Sequence, residues 1–312
     1  MVLKRTGFSL LTLFTISILI FVGVEALPGD TAEAILGQGA TPENVAALRH
    51  ELKLDMPLHT RYISWLGDLA QGDLGNSLSN GRPVSEVIGW RFENTLILAF
   101  SAAIVSIPLA IVLGLVCALY QNSWLDRFLS TTTLSAISLP EFFVAYLLIY
   151  LFVVQLGLFP SVAILKPDMA LSEMVNVLVL PCLTLTLVVL AHMMRMTRAT
   201  IIGVLNSPYI EMARLKGVRK PKIIFRHALP NALAPIINVV VMDLAWLVVG
   251  VVVVEVVFVY PGLGQLLVDS VSKRDIPVVQ SSGLIFACTY IFLNLTADIL
   301  SILSNPKLRK PK

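Results

Sequence analysis

The sequence contains few charged residues and few cysteines. Charged residues make up 14% of its 312 positions, whereas a soluble globular domain averages about 25%. The three cysteines, Cys117, Cys182 and Cys288, lie inside apolar runs without the spacing of a metal site or a disulfide framework. We interpret them as small packing residues and expect no metal site. The formal net charge of +3 lacks the basic excess typical of nucleic-acid-binding domains, so we expect no nucleic-acid partner.

Apolar sequence is what the chain has in abundance. Hydrophobic residues make up 56% of it, and the mean hydropathy is +0.83. A membrane-spanning helix needs about 20 mostly apolar residues. Six segments satisfy this requirement: 8–27, 96–120, 128–156, 175–200, 232–259 and 280–303. The predicted fold class is therefore an all-α, polytopic integral membrane protein, a bundle of six transmembrane helices.

The first apolar segment and the basic residues predict the orientation of the chain. The run after Lys4-Arg5 is long for a secretory signal, and no small-residue cleavage site follows it, so we expect a retained membrane helix. An even number of spans places both termini on one side. Most of the 23 basic residues then fall on the cytoplasmic side if the N-terminus is cytoplasmic. We therefore expect both termini, including a basic tail at 304–312, in the cytoplasm.

Residues 28–95 form an extracytoplasmic segment that is too long for a simple turn. Thr41, Pro42 and Glu43 are typical of the N-cap and first turn of a helix. A second helix is predicted to begin at Pro57, and a third, from Pro83, to run into the second span. We interpret the segment either as a small helical cap on the membrane surface or as a docking surface for an extracytoplasmic partner.

Acidic residues inside the apolar segments are the candidate polar sites of the membrane region. Glu141 follows Pro140 within the third span, where a carboxylate costs about 2.5–3.5 kcal/mol on insertion scales, so we expect it to face a wet cavity or a partner. In the fifth span, Asp243 could pair with Arg195 or Arg198. Those two arginines are interpreted mainly as anchors at the cytoplasmic interface, with contact to a transported molecule as the alternative.

The cytoplasmic loop 203–230 between the fourth and fifth spans predicts a short capped helix. Ser207 and Pro208 are typical of an N-cap and first helical position, and Gly217 is typical of the residue after a helix. A helix of about ten residues is too short to be stable alone in water, so it needs a protein surface to pack on. A second amphipathic helix is predicted from Pro221 to Pro230, where it should end before the fifth span.

The same loop carries a resemblance to a known family. Glu211-x-Ala213-x-x-x-Gly217, followed after nine residues by His227-Ala228-Leu229-Pro230, resembles the "EAA" loop of ABC importer permeases. Met212 and His227 depart from the family pattern. Further segments match the branch for dipeptides, oligopeptides, glutathione and nickel in order: Pro28-Gly29-Asp30, Gly72-Asp73-Leu74-Gly75-x-Ser77, Arg82-Pro83-Val84, Ser138-x-Pro140-x-Phe142, Val254-Glu255 to Gly264, Arg274-Asp275-x-Pro277-Val278-x-Gln280 and Asn305-Pro306-x-x-Arg309. The family usually has Trp at Tyr260 and Asp at Asn305. The chain resembles the first of the two paired permeases of this branch.

The resemblance implies a type I ABC importer permease fold and a set of partners. The predicted spans divide the chain into segments 1–27, 28–95, a core of 96–303 and a tail of 304–312. The resemblance implies a coupling helix that docks into an ATPase subunit through these residues: Tyr209, Glu211, Ala213, Arg214, Gly217, Leu229 and Pro230. No G-x-x-x-x-G-K-[ST] motif occurs, so this chain is expected to be no enzyme and to bind no cofactor itself. ATP and Mg²⁺ would bind two partner ATPase subunits, and a second homologous permease and an extracytoplasmic solute-binding protein would complete the assembly.

The resemblance also implies residence in the lipid bilayer of a bacterial or archaeal plasma membrane, and a translocation pathway. The candidate pathway or gating residues are Pro140, Glu141, Asp243 and Glu255; Glu255 either lines the pathway or pairs with a base such as Arg274. Di- and oligopeptides are the favoured solutes because no Cys/His cluster favours nickel, and nickel and glutathione are the alternatives. An ion-coupled secondary transporter is the alternative function, although no internal repeat supports it.

Overall fold

The computed structural model describes residues 2–27, 29–166 and 168–304. Pro28, the motif Asn305-Pro306-x-x-Arg309 and nearly all of the predicted basic tail therefore lie outside the described residues. The α-helices are α1 (Val2–Glu25), α2 (Thr31–Leu36), α3 (Pro42–Glu51), α4 (Leu58–Ala70), α5 (Val84–Leu119), α6 (Trp124–Ile137), α7 (Glu141–Ile149), α8 (Leu171–Leu205), α9 (Pro208–Leu215), α10 (Lys220–Ile223), α11 (Leu229–Val257), α12 (Leu263–Lys273) and α13 (Ile276–Ser304). The expected all-α architecture is confirmed, since the described residues contain no strand and only an isolated bridge between Asn76 and Pro83.

Within the part of the chain that the structure describes, five or six helices could cross a membrane. Five are long and apolar enough by themselves: Lys4–Glu25, Val84–Leu119, Leu171–Leu205, Ile224–Val257 and Ile276–Leu300. α6 and α7, with the π-helical turn Tyr150–Gln155 that continues α7, pass the same test only together. The predicted count of six is therefore reached if this pair forms one span.

The third span, predicted at 128–156 with Pro140 inside it, is not one continuous helix. α6 ends at Ile137, α7 begins at Glu141, and the two helices are bent by 102° at the break. Pro140 has no N–H to donate, and its extended backbone conformation (ψ 144°) places it at the N-cap position of α7. The proline that was expected inside the span therefore separates two helices.

The second helix of the 203–230 loop was predicted to end at Pro230, but it continues through this residue. α10 passes into a π-helical turn, Ile224–Ala228, which continues directly into α11. A proline ring clashes with the carbonyl group four residues before it in a regular α-helix, and the wider π turn at 224–228 relieves that clash. The side-chain amide of Asn231 donates to the carbonyl oxygen of His227 at 2.7 Å. The loop is thus joined to the fifth span by continuous helix.

The chain divides into two compact units. The first contains Leu3–Thr95 and Pro261–Thr289, and within it side chains of α4 contact side chains of α1. Tyr62 and Trp65 lie against Phe21 with ring centroids 5.3 and 6.1 Å apart. Arg61 pairs with Glu25 at 2.6 Å. As predicted, Thr41 caps α3 by accepting from the N–H of Asn44, and the helix begins at Pro42.

Two of the resemblance motifs meet within the first unit. The carboxylate of Asp275 accepts hydrogen bonds from the hydroxyl group of Ser77 and from the backbone N–H groups of Leu78 and Ser79. Asp275 is buried, so these donors satisfy a charge that would otherwise be unpaired. The 72–77 turn is therefore fixed to the corner between α12 and α13.

The second unit contains Leu96–Tyr260 and the chain from Tyr290, and α8 packs on α11 at its centre. α5 approaches α8 closely at Gly114, where a Cβ atom would lie 2.8 Å from the carbonyl oxygen of Met194 and 2.8 Å from Cβ of Thr197. The absence of a side chain at Gly114 is what permits this approach. Both candidate sites belong to this unit.

Candidate functional site: an exposed short helix and an intramembrane cavity

The short helix α9 begins where the sequence predicted. Ser207 occupies the N-cap position, and its carbonyl oxygen accepts from the N–H groups of Ile210 and Glu211 at 3.0 and 3.2 Å. Its side chain does not cap the helix, because the hydroxyl group donates backwards to the carbonyl oxygen of Val204. Pro208 occupies the first helical position, where its missing N–H costs nothing.

The C-terminus of α9 is closed by Gly217 in the left-handed conformation, with a φ of +76°. The N–H of Gly217 donates to the carbonyl oxygen of Arg214 at 2.9 Å, and the N–H of Val218 donates to that of Ala213 at 3.1 Å. This pair of bonds is the Schellman arrangement, which satisfies carbonyl groups that the end of a helix leaves unpaired. The predicted stop at Gly217 is confirmed by this geometry.

α9 is anchored on one side by its own chain. Ile210 is fully buried. It belongs to an apolar cluster with Ile201 and Leu205 of α8, Ile223 at the end of α10 and Ile224 at the start of the π turn. Ala213 is half-buried against the same cluster. The helix is therefore held in place despite having only eight residues.

The opposite side of α9 exposes large apolar side chains. Leu215 is 77% exposed, Met212 56% and Tyr209 45%. Water-exposed apolar side chains grouped on one short helix are typical of an interaction surface. We call the surface formed by Tyr209, Met212 and Leu215 the α9 apolar face.

The remaining residues of the predicted coupling set lie around this helix. Glu211 is exposed in the first turn, where the helix dipole favours a negative charge. Arg214 is exposed, and its guanidinium donates to the carbonyl oxygen of Leu205 at 3.4 Å. Leu229 is half-buried and Pro230 exposed, both at the start of α11. The seven residues are thus divided between α9, its C-terminal cap and the start of the next span.

A cavity of about 390 Å³ lies among α6, α8, α11 and α13. Its polar and aromatic lining is formed by His192, Arg195, Asp243, Trp246 and Tyr290. Apolar side chains supply the rest: Ala136, Ile137, Leu139, Val188, Val189 and Met242. A volume of this size lies within the range of small-molecule sites, about 300–1,000 Å³.

The predicted partners of Asp243 were wrong. Its Oδ1 shares a hydrogen bond with Nδ1 of His192 at 3.0 Å, rather than pairing with Arg195 or Arg198. Arg198 instead forms a bidentate pair with Asp126, with Nε–Oδ1 and Nη2–Oδ2 distances of 2.7 and 2.8 Å. The three-residue spacing places Arg195 and Arg198 on neighbouring parts of the helix surface, but only Arg195 lines the cavity.

The other candidate pathway residues do not line this cavity. Pro140 is exposed at the N-cap position of α7, and Glu141 follows in its first turn. Oε2 of Glu141 is buried without a hydrogen-bond partner among the described residues. Glu255 is fully buried in α11, and Arg274, its suggested partner, belongs to the first compact unit. Of the four pathway candidates, only Asp243 lines this cavity.

Sequence reasoning missed Trp246 and Tyr290 as cavity residues. Trp246 follows Asp243 by three positions, as Arg195 follows His192, and residues three apart share a helix face. That spacing was a usable signal for Trp246. Tyr290 carries no comparable signal, because its approach depends on how α13 packs in the bundle.

Two family models cover nearly the whole chain. Residues 110–310 match "Binding-protein-dependent transport system inner membrane component", and residues 1–99 match the N-terminal model of the corresponding membrane component. The chain is 38% identical over 308 residues to the glutathione transport system permease protein GsiC of Escherichia coli O6:H1 and to that of Salmonella typhimurium strain LT2. Each comparison covers 99% of this chain and 98% of the relative.

A solved structure shares the fold. An inward-facing structure of the MetNI methionine ABC transporter aligns with a TM-score of 0.56 and 17% sequence identity. The alignment covers 70% of this chain and 96% of that one. At this identity the likeness supports the architecture of the helical bundle and no finer property.

Proposed function

The chain belongs to the family of binding-protein-dependent transport system inner membrane components, and from this premise we propose that it imports short peptides, glutathione among them, as half of an ABC importer's translocation pathway. The family is one of transport permeases, and the chain is a multi-pass inner membrane protein. ATP and Mg²⁺ would be bound by two separate ATPase subunits. A second related permease and an extracytoplasmic solute-binding protein would complete the assembly.

The α9 apolar face is the observation that carries this proposal. α9 is anchored through Ile210, closed at Gly217 and exposed at Leu215, so one side packs on its own chain and the other presents apolar side chains outward. An ATPase subunit with an apolar groove would bury these side chains, as amphipathic helices do in helix-in-groove recognition. Movement of α9 would then pass through the continuous helix of α10, the π turn and α11 into the bundle.

The solute is proposed from the full-length likeness to glutathione permeases, which extends through 308 residues. Glutathione is itself a small peptide with free carboxylates, so it belongs to the peptide-like class that was favoured over nickel because the sequence has no Cys/His cluster. We place both termini of the chain in the cytoplasm, because the positive-inside rule favours that orientation.

Substitution of one leucine on the α9 apolar face tests the coupling role. Leu215→Glu would bury an unpaired carboxylate in the contact with the ATPase subunit, which is strongly unfavourable. We expect at least about tenfold weaker association, corresponding to roughly 1.4 kcal/mol or more. Co-purification of the ATPase subunits, and ATP-dependent uptake of glutathione and trialanine in proteoliposomes, would measure the loss.

The matched control is Leu58→Glu. Leu58 is 57% exposed, and it lies in α4 within the segment predicted to be extracytoplasmic. The same chemical change there should leave co-purification of the ATPase subunits intact. Equal effects of the two variants would contradict the coupling role of α9. Uptake by this chain alone, driven by an ion gradient without ATP, would instead favour a secondary transporter.

A further inference from the structure

The cavity in the second compact unit contains charged side chains within apolar helices, where burying a charge in the membrane is energetically unfavourable. Asp243 lies near the middle of the apolar helix Ile224–Val257 and is buried. A charged residue at the centre of a membrane is expensive, and such residues mark solute or ion pathways far more often than packing positions. Asp243 therefore requires a functional explanation, and the α9 contact does not supply one.

The polar groups of the cavity are only partly satisfied by one another. Oδ1 of Asp243 is held by His192, but Oδ2 has no hydrogen-bond partner among the described residues. Arg195 is exposed to the cavity and forms no ion pair within the described part of the chain. The cavity thus contains a carboxylate with unused acceptor capacity and a guanidinium with all of its strong donors available.

We propose that this cavity is a solute-binding subsite in which Arg195 pairs with the terminal carboxylate of a peptide and Asp243, oriented by His192, accepts from its amino group. This inference rests on the proposed import of peptides. Guanidinium groups bind carboxylates in a bidentate manner, which supplies both affinity and direction.

The remaining lining suits the apolar parts of such a solute. Trp246 and Tyr290 are partly exposed to the cavity, and Met242 lies beside them. Aromatic side chains offer a broad contact area with little loss of conformational freedom, and methionine adapts to side chains of different shape. The subsite therefore recognises the two charged ends of a peptide and accommodates various side chains between them.

The test measures the uptake of a free peptide acid and of its C-terminal amide by wild-type and variant transporters. The full assembly, with partner permease, ATPase subunits and binding protein, is reconstituted in proteoliposomes. Uptake of glutathione and of trialanine is compared with uptake of their C-terminal amides. Comparing each variant with wild type for the same solute removes the selectivity of the binding protein, which all forms of the transporter share.

We expect Arg195→Gln to lower uptake of the free acids at least about tenfold, because one bidentate charged pair is lost. Uptake of the amides should change less than about twofold. Arg195→Lys, which keeps the charge but cannot form the bidentate pair, should recover only part of the uptake of the free acids. Asp243→Asn should reduce uptake of trialanine more than that of N-acetyl-trialanine, because only the former has a free amino group.

Arg127→Gln is the matched control, since it removes the same charge from an exposed side chain that does not line the cavity. It should leave all of these ratios unchanged. Equal losses of acid and amide uptake in Arg195→Gln would overturn the subsite without contradicting the proposed importer function. Loss of the partner permease from the purified Arg195→Gln assembly would show that Arg195 holds the assembly together, which would also overturn the subsite. A wild-type assembly that hydrolyses ATP but imports neither probe would overturn the proposed solute class, and the subsite with it.

Discussion

Charged side chains of the second unit pair with residues distant in the chain. Asp126 lies 72 positions before Arg198, and its carboxylate is almost completely buried. It accepts from the backbone N–H of Asn122 as well as from the guanidinium of Arg198. The pair therefore fixes the corner between α5 and α6 against the end of α8 that leads to α9.

Removal of one member of this pair should destabilise the protein. Asp126→Ala leaves the guanidinium of Arg198 and the N–H of Asn122 without their acceptor. We expect a loss of about 1–3 kcal/mol in the free energy of unfolding, the usual cost of a buried group left unsatisfied. The melting temperature of the purified protein in detergent would report it.

The exposed pair of Arg82 and Glu86 provides the control. Their closest atoms are 3.4 Å apart, and both side chains are more than half exposed. Solvent screens such a pair, so Glu86→Ala should change the stability by less than about 0.5 kcal/mol. Equal shifts in melting temperature for Asp126→Ala and Glu86→Ala would refute the structural role of the Asp126–Arg198 pair.

At the scale of helices, two features of the second unit connect its elements: the close approach of α5 to α8 and the continuous helix from α10 into α11. α5 and α8 touch at Gly114 through backbone atoms, which cannot give way as a flexible side chain can. The π turn at 224–228 joins α10 to α11 without a break. The first feature brings the backbones of two spans into contact at Gly114. The second makes α10, which follows α9 after residues 216–219, continuous with the span that contains Asp243.

A methyl group at Gly114 should separate α5 from α8. Gly114→Ala would place Cβ within 2.8 Å of the carbonyl oxygen of Met194, well inside normal contact. Overpacking of this kind costs about 1–3 kcal/mol, so we expect a lower melting temperature and less assembled transporter.

Gly89→Ala is the control in the same helix α5, because its added Cβ would meet nothing within 4 Å. That variant should be neutral or more stable by about 0.5–1 kcal/mol, since alanine favours the helix. A Gly114→Ala protein as stable as Gly89→Ala would show that the α5–α8 approach is looser than described.

At the scale of the whole molecule, the bent pair α6–α7 decides the membrane topology. Five straight candidate spans place the termini on opposite sides, whereas a sixth places them on the same side. The distribution of basic residues favours six, so we expect α6 and α7 together to cross the membrane despite the 102° bend.

Labelling of single cysteines tests this topology. Gln121 lies before the bent pair and Ser161 after it, and both are exposed. In a variant without Cys117, Cys182 and Cys288, a membrane-impermeant maleimide should label Ser161→Cys in intact cells. It should label Gln121→Cys only after permeabilisation. Labelling of both positions from one side would identify α6–α7 as a re-entrant pair and exclude the shared orientation of the termini.

Helix α9 shows which structural features could be predicted from the sequence alone. Its start at Pro208 and its termination at Gly217 were predicted because capping depends on residues within a few positions of one another. The long apolar segments likewise fixed the all-α membrane fold, since the thickness of the bilayer sets the length of a span. Locally encoded properties of this kind need no knowledge of the folded bundle.

The sequence by itself thus determined the membrane fold, the family and the ends of α9, whereas the tertiary structure decided which side chains meet. His192 rather than an arginine contacts Asp243, 51 positions away, because the packing of α8 on α11 sets that distance. Packing also decided that Ile210 is buried and Leu215 exposed, although both are apolar residues of one short helix. It brought Tyr290 to the cavity as well. Such contacts depend on helix orientations that no local pattern encodes.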